Sequence, residues 1–471
     1  MSAAQEPHAQ RHGVGPYKGL EHYEEADWRL FYGRARECDV IVANLRARRM
    51  TVIYGQSGVG KSSLLRAGVV HRLREDARRN VDEVGVPEYV PVIVSDWRDD
   101  PVATLLSELH RAVAEFADPL PHAPARPAEA IDVLARAVDS RIVIVLDQLE
   151  EYFLYHGDEP KEEGRLVVEL TRALTRERLR ASFLLSIRED ALAKLDRFRR
   201  DVPGLFDTIL HLAALDRASA REAIVQPLAR WEGPGPTAAE DELVSALLDQ
   251  LAAGAPVPEQ AGQGRIGRDG GAAPAAGIDP SYLQLVLRPL WESEDDPHVL
   301  RLATLERLGG TEAIARRHLD EALDALPPEE RDAAAEALRF LVTPLGTKIA
   351  LAPAELASFA GRDLATTVEL LAGGGIRILR TVPPPPGKDG PTRYEIFHDV
   401  LGPGILDWRT RYVRDREQER ERAERHELEL RERDAQQQAR EERRRARVFR
   451  TLALVALAGL EIGRASCRER V

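Results

Sequence analysis

The stretch TVIYGQSGVGKSSLLRAGVV, residues 51–70, constrains this chain more than any other. An apolar run of strand length enters a glycine-rich corner and leaves it in a helical pattern, with Gly55, Ser57, Gly58, Gly60, Lys61, Ser62 and Ser63 at the turn. The residues from Gly55 to Ser62 fit G-x-x-x-x-G-K-[ST] in the strand-then-helix context that the pattern requires. Glycine admits backbone conformations that turn successive N–H groups toward an anion, and the following helix adds the positive end of its dipole. Lys61 is expected to contact the β- and γ-phosphates of a nucleotide, and Ser62 to ligate Mg²⁺.

Such a corner needs a parallel sheet behind it. Five runs of strand length alternate with helical patterns: MTVIYG (50–55), YVPVIVSD (89–96), RIVIVLD (141–147), ASFLLSIR (181–188) and DTILHLAAL (207–215). That alternation predicts an α/β fold with crossover helices. The third run ends in Asp147, followed by Glu150 and Glu151, so acids emerge at the strand edge where ligands bind on such sheets. Asp147 is expected to hold Mg²⁺, and one of the two glutamates to orient or deprotonate an attacking water, the sequence leaving open which. Arg188 ends the fourth run, where a cation would sense the γ-phosphate or else pair with Glu189 or Asp190. Upstream, Gly33 and Arg34 precede a helical pattern and either place backbone and guanidinium near base and ribose or form a helix-start turn.

The chain has 471 residues, more than one core organises, so several domains are expected. A net charge of −12 supplies no overall field to gather nucleic acid. Two cysteines, Cys38 and Cys467, are too few for a disulfide framework and fit a reducing cytosol. Residues 1–15 lack an apolar signal segment and read as a disordered leader. The nucleotide-binding domain is expected over 16–215 and a helical lid over 216–298, with a flexible Gly/Ala/Pro insert at 252–278. In 299–412, helical patterns precede GIRILRTV and RYEIFHDVL around a proline-rich turn, which predicts a winged-helix domain. Residues 413–447 are intensely charged without regular apolar a and d positions and read as a solvated single helix or loose coiled coil. The run VFRTLALVALAGL (448–460), behind a basic cluster, is expected to begin a truncated membrane helix, and EIGRASCRERV (461–471) reads as a non-native tail.

Together PYKGLEHYEEADWRLFYGRARECD, GQSGVGKSSLLRAGVV, VLDQLEEYF, SIREDAL, DPSYLQLVLRPLW and FHDVL resemble the motifs of STAND-class signal-transduction NTPases, and most of all the novel STAND subgroup, over residues 16–412. The resemblance implies ATP or ADP with Mg²⁺ as cofactors, Pro280 against adenine, and His398 reaching the β-phosphate from the winged helix. Read locally, His398 is a satisfied histidine at a strand end, and Asp279 stands where many relatives carry glycine. The resemblance further implies a slowly hydrolysing cytoplasmic switch that self-associates on activation and drives an effector or sensor module absent from this chain. Two alternatives differ in class. A winged-helix DNA-binding regulator is opposed by the acidic balance and by the want of a basic recognition helix between 330 and 375. A P-loop kinase is opposed by the lack of an acceptor-substrate site.

Overall fold

The computed structural model describes residues 15–56, 58–97, 100–156, 165–199, 201–253, 277–344, 348–373, 378–382, 391–397 and 401–468. Two compact units divide the chain, Met1–Leu406 and Asp407–Val471.

The first unit is built on a parallel five-stranded sheet of β1 (Met50–Gly55), β2 (Tyr89–Val94), β3 (Arg141–Leu146), β4 (Ala181–Arg188) and β5 (Ile209–His211). Their spatial order is β2-β3-β4-β1-β5. Near-continuous apolar runs suit a sheet covered on both faces, and alternate residues supply alternate cores. Ile142, Ile144 and Leu146 join Phe183, Leu185 and Ile187 in one core. Val143, Val145 and Leu184 enter the other with Ile53 and Leu64. The fold is thus the α/β P-loop NTPase sheet expected from the sequence. The last strand is shorter than its apolar run: β5 pairs with β1 at three positions, opposite Val52, Ile53 and Tyr54.

After β1 the chain is helical from Lys61 to Val84, with a wider π-helical stretch at Leu64–Val70. Beyond the sheet come helices Arg217–Arg230, Asp241–Ala253 and Pro280–Glu292, with β6 (Ala238–Ala239) paired in parallel to β7 (Val299–Leu300). Most of the expected 252–278 insert lies outside the described residues. Helices Pro328–Leu341, Pro353–Ala360 and Ala365–Ala372 follow, then an antiparallel ribbon of β8 (Leu379–Val382) and β9 (Arg393–Ile396). Leu351 and Tyr394 exchange backbone hydrogen bonds at 3.0 and 2.7 Å, adding a bridge to the ribbon's edge.

The helix Leu401–Arg468 supplies the second unit, which takes it from Asp407 onward. Its described side chains from 417 to 453 are all exposed. Pairs four residues apart, such as Arg431 with Glu427 at 2.6 Å, run along it, the support that a solvated single helix needs. Residues 448–460 are helical, but among the described residues no helix is long and apolar enough to cross a membrane. Arg450 and Glu461 bracket the apolar run, leaving about 15 Å of helix against a hydrocarbon core of about 30 Å.

Candidate functional site

Strand order decides which motif residues meet. Because β4 lies between β1 and β3, its last residue, Arg188, stands in register with Gly55 at the mouth of the glycine-rich loop. Asp147 follows β3 on the other side of β4 and is 1% exposed. Its backbone N–H continues the ladder to Val94, and its carbonyl accepts from the Trp97 indole at 2.8 Å. Gln148 next to it adopts a left-handed φ of 54° and donates its N–H to Asp147 Oδ1 at 3.0 Å. This turn starts the helix Leu149–Tyr155 and brings Glu150 back toward β4, where Glu150 Oε2 accepts the Arg188 N–H at 3.1 Å.

A cavity of about 290 Å³ opens above the loop, and Gly58, Gly60, Lys61, Ser62 and Ser63 form its floor. Arg34, Glu150, Glu151, Arg188 and Pro280 border it from other elements. Gly55 and Asp147 stand behind that wall, at the ends of β1 and β3. Ser57 and His398 lie outside the described residues. Gly58 and Gly60 take φ of 80° and 89°, the left-handed backbone that a side chain disfavours. Lys61 is 8% exposed and its ammonium donates to the carbonyls of Gly55 and Gln56 at 2.8 and 3.0 Å.

Burial pushes the Glu150 carboxyl up to about 7, while Lys61 and Arg188 pull it down and Asp147 adds to the rise. Glu150 therefore exchanges its proton near neutrality, the range in which a carboxylate is an effective general base. Asp147 Oδ2 is buried without a hydrogen-bond partner. An orphaned oxygen of this kind fits a hydrated Mg²⁺, which takes oxygen ligands, and the Ser62 hydroxyl at the cavity floor is of the same chemistry. Lys61 and the loop amides fit the phosphates of a nucleotide.

Other residues of the site have contacts that local sequence does not reveal. Arg34, 5% exposed, donates to the carbonyls of Val59 and Ala213 at 3.1 and 2.8 Å and pairs with Glu37 at 2.8 Å. Gly33, at φ 85°, passes so near the Ser219 carbonyl that a Cβ would lie 2.4 Å from its oxygen. Ser63 Oγ accepts the Tyr23 N–H at 3.1 Å, and the Tyr23 hydroxyl donates to Gln284 Oε1 at 3.1 Å. Asp279 caps the helix of Pro280 by accepting from the N–H groups of Ser281 and Tyr282, so the residue standing in place of glycine has a local task. From the same helix, Ser281 Oγ donates to the Gly58 carbonyl at 2.6 Å. The ribbon reaches the loop as well. Phe397 would meet a Cβ at Gly58 at 2.6 Å, and the Arg188 guanidinium donates to the Thr381 carbonyl of β8. Tyr23, Ser281, Gln284 and Phe397 were missed by motif reasoning, although each stands within a stretch that the resemblance singles out.

A model of the family described as novel STAND NTPase 1 matches residues 16–446. No curated protein matches the chain significantly. Among solved structures, the chain is similar to the Orc1 protein of Aeropyrum pernix in complex with DNA, at 15% identity and a TM-score of 0.46, over 81% of this chain and 93% of that one. It is also similar to a Walker-type ATPase of Pyrococcus abyssi, at 15% identity and a TM-score of 0.40, over 82% and 99%. A third is the Cdc6p of Pyrobaculum aerophilum, at 13% identity and a TM-score of 0.37, over 80% and 94%.

Proposed function

Because the chain belongs to the novel STAND NTPase 1 family, a family of P-loop NTPases, we propose that it is an ATP-binding, slowly hydrolysing cytoplasmic switch whose nucleotide state is passed to an effector or sensor module. One observation carries this reading. Gly58, in the phosphate-binding corner, is covered at once by Ser281 of the helix Pro280–Glu292 and by Phe397 at the end of the ribbon. An enzyme that merely turned over ATP has no need for two distant segments to touch its loop, whereas a switch requires elements whose positions depend on what the loop holds.

Bound ATP with Mg²⁺ supplies the phosphoanhydride whose cleavage changes the charge at the site. In this reading Lys61 turns from the Gly55 and Gln56 carbonyls to the phosphates, while Ser62 and Asp147 hold the metal ion. Glu150 or Glu151 orients the attacking water and takes its proton. Arg188 senses the terminal phosphate and passes its loss to β8 through Thr381. In this proposal the region 299–412 is a winged-helix domain that closes over ADP, with His398, next after Phe397, donating to the β-phosphate. Pro280 and Gly33 shape the base side. Opening exposes surfaces that self-associate.

The test is calorimetric titration of the full chain with Mg-ADP and Mg-ATP. Wild type is expected to bind both, and Lys61→Ala neither, since the phosphates lose their main cation. Equal affinity in the two proteins would remove the nucleotide reading.

A further inference from the structure

A loop that cradles phosphate through its N–H groups must keep its carbonyl oxygens turned away, because two dipoles of opposite sense cannot both face the anion. Here every described carbonyl from Gly55 to Gly60 is engaged. Gly55 O and Gln56 O accept from Lys61, and Gly60 O accepts from the Leu64 N–H at 3.0 Å, within the helix that follows. Those partners belong to the motif itself.

The two described carbonyls between Gln56 and Gly60 are held from outside it. Gly58 O accepts from Ser281 Oγ at 2.6 Å, and Val59 O accepts from Arg34 Nη2 at 3.1 Å. Ser281 lies 223 positions away in the chain and Arg34 lies 25 away. In a trans peptide the C=O and the following N–H point in opposite directions. Fixing the Gly58 carbonyl therefore fixes the direction of the Val59 N–H, and fixing the Val59 carbonyl fixes that of the Gly60 N–H. Val59 and Gly60 both border the cavity. Glycine at 58 eases rotation of this plane, whose Val59 N–H makes only a long bond of 3.4 Å to the Gln56 carbonyl, one that a phosphate would have to replace, so the firmer hold comes from the external partner on the carbonyl side.

We propose that Ser281 and Arg34 are positioning residues of the phosphate cradle, aiming the Val59 and Gly60 N–H groups by holding the Gly58 and Val59 carbonyls outward. The consequence is mechanical. Affinity for phosphate depends on whether the helix Pro280–Glu292 is seated on the loop, so a lid that lifts releases the nucleotide by letting one peptide plane turn. This inference rests on the nucleotide reading above and adds to it the residues that couple lid position to phosphate affinity.

The experiment measures competition of ADP, and separately of inorganic pyrophosphate, against a fluorescent ADP analogue on the full chain. Losing one hydrogen bond to the cradle should weaken both competitors by the same factor, about 3- to 10-fold, in Ser281→Ala. Ser281→Thr, which keeps the hydroxyl, should restore both. Arg34 is nearly enclosed and its truncation risks the fold, so the serine variants decide the matter, with the unfolding midpoint as control. A loss confined to ADP, with pyrophosphate unchanged, would make Ser281 a base-side or packing contact and overturn the proposal, as would no loss at all. A wild-type chain that binds no ADP overturns the nucleotide reading instead.

Discussion

Glu150→Gln tests the buried acid through stability rather than through turnover. Glutamine keeps an oxygen to accept the Arg188 N–H and resembles the protonated carboxyl, so the change isolates ionisation. An ordinary glutamate at 4.5 is pushed up to about 7 here, first of all by burial. Below pH 4.5 the group holds its proton in both folded and unfolded chains, and the wild type carries no penalty. As pH rises through 7 the folded state must expose the buried site to a charge that the unfolded chain accommodates in water, and the associated stability is lost. A gap of about 2.5 units at about 1.4 kcal/mol each gives roughly 3 kcal/mol, an upper bound because Glu150 keeps some surface at the cavity wall. Urea unfolding of wild type and variant in nucleotide-free buffer between pH 5 and pH 8 should show the variant gaining roughly 2 to 3 kcal/mol on the wild type across that span. Two curves that stay parallel would refute the argument. The same variant should hydrolyse ATP more slowly, and unchanged turnover assigns the water-positioning role to Glu151.

Gly58→Ala places a Cβ at φ 80° against the Phe397 ring and the Ser281 hydroxyl, so it should lower stability by about 1 to 3 kcal/mol and raise amide exchange in β8 and β9. Unaltered exchange there would mean that the ribbon does not depend on the loop. His398→Ala should speed ADP release and enlarge the hydrodynamic radius while ATP still binds, as expected when a charge-assisted bond closes the domain. A folded variant with both quantities unchanged would return His398 to a local structural role.

What the sequence made legible was whatever the strand ends carry. Gly55, Asp147 and Arg188 each terminate or follow an apolar run, and parallel strands bring all such ends to one edge, so their common location follows from periodicity alone. Chain order does not say that β4 lies between β1 and β3, yet that order is what sets Arg188 between the loop and the acids. Arg34 illustrates the other limit. Locally it is an arginine before a helix, and its partners, Val59 and Ala213, become neighbours only when the segment after β5 folds back. The strand expected over 207–215 contracts to Ile209–His211, the three residues that find partners on β1, whereas the other edge strand, β2, pairs over six, and hydropathy does not record how far a neighbouring strand runs alongside.

The ribbon and its preceding helices bear on the reading as a DNA-binding regulator. In a winged-helix protein that reads a groove, the third helix presents its side chains to the bases and the ribbon flanks the backbone, and both need cations. Here Ala365–Ala372 carries no lysine or arginine and one glutamate, and Thr367, Val368 and Leu371 on it are buried. Ala372 and Gly373, at its end, border the same cavity as the loop. The ribbon is held there too, by Arg188 at Thr381 and by Phe397 at Gly58. These elements therefore border the cavity above the glycine-rich loop, so the surface that they turn toward it is covered while they stay in place. Under the switch reading proposed above, a change in the bound nucleotide would uncover that surface, so partner binding through it would follow the nucleotide cycle rather than act apart from it.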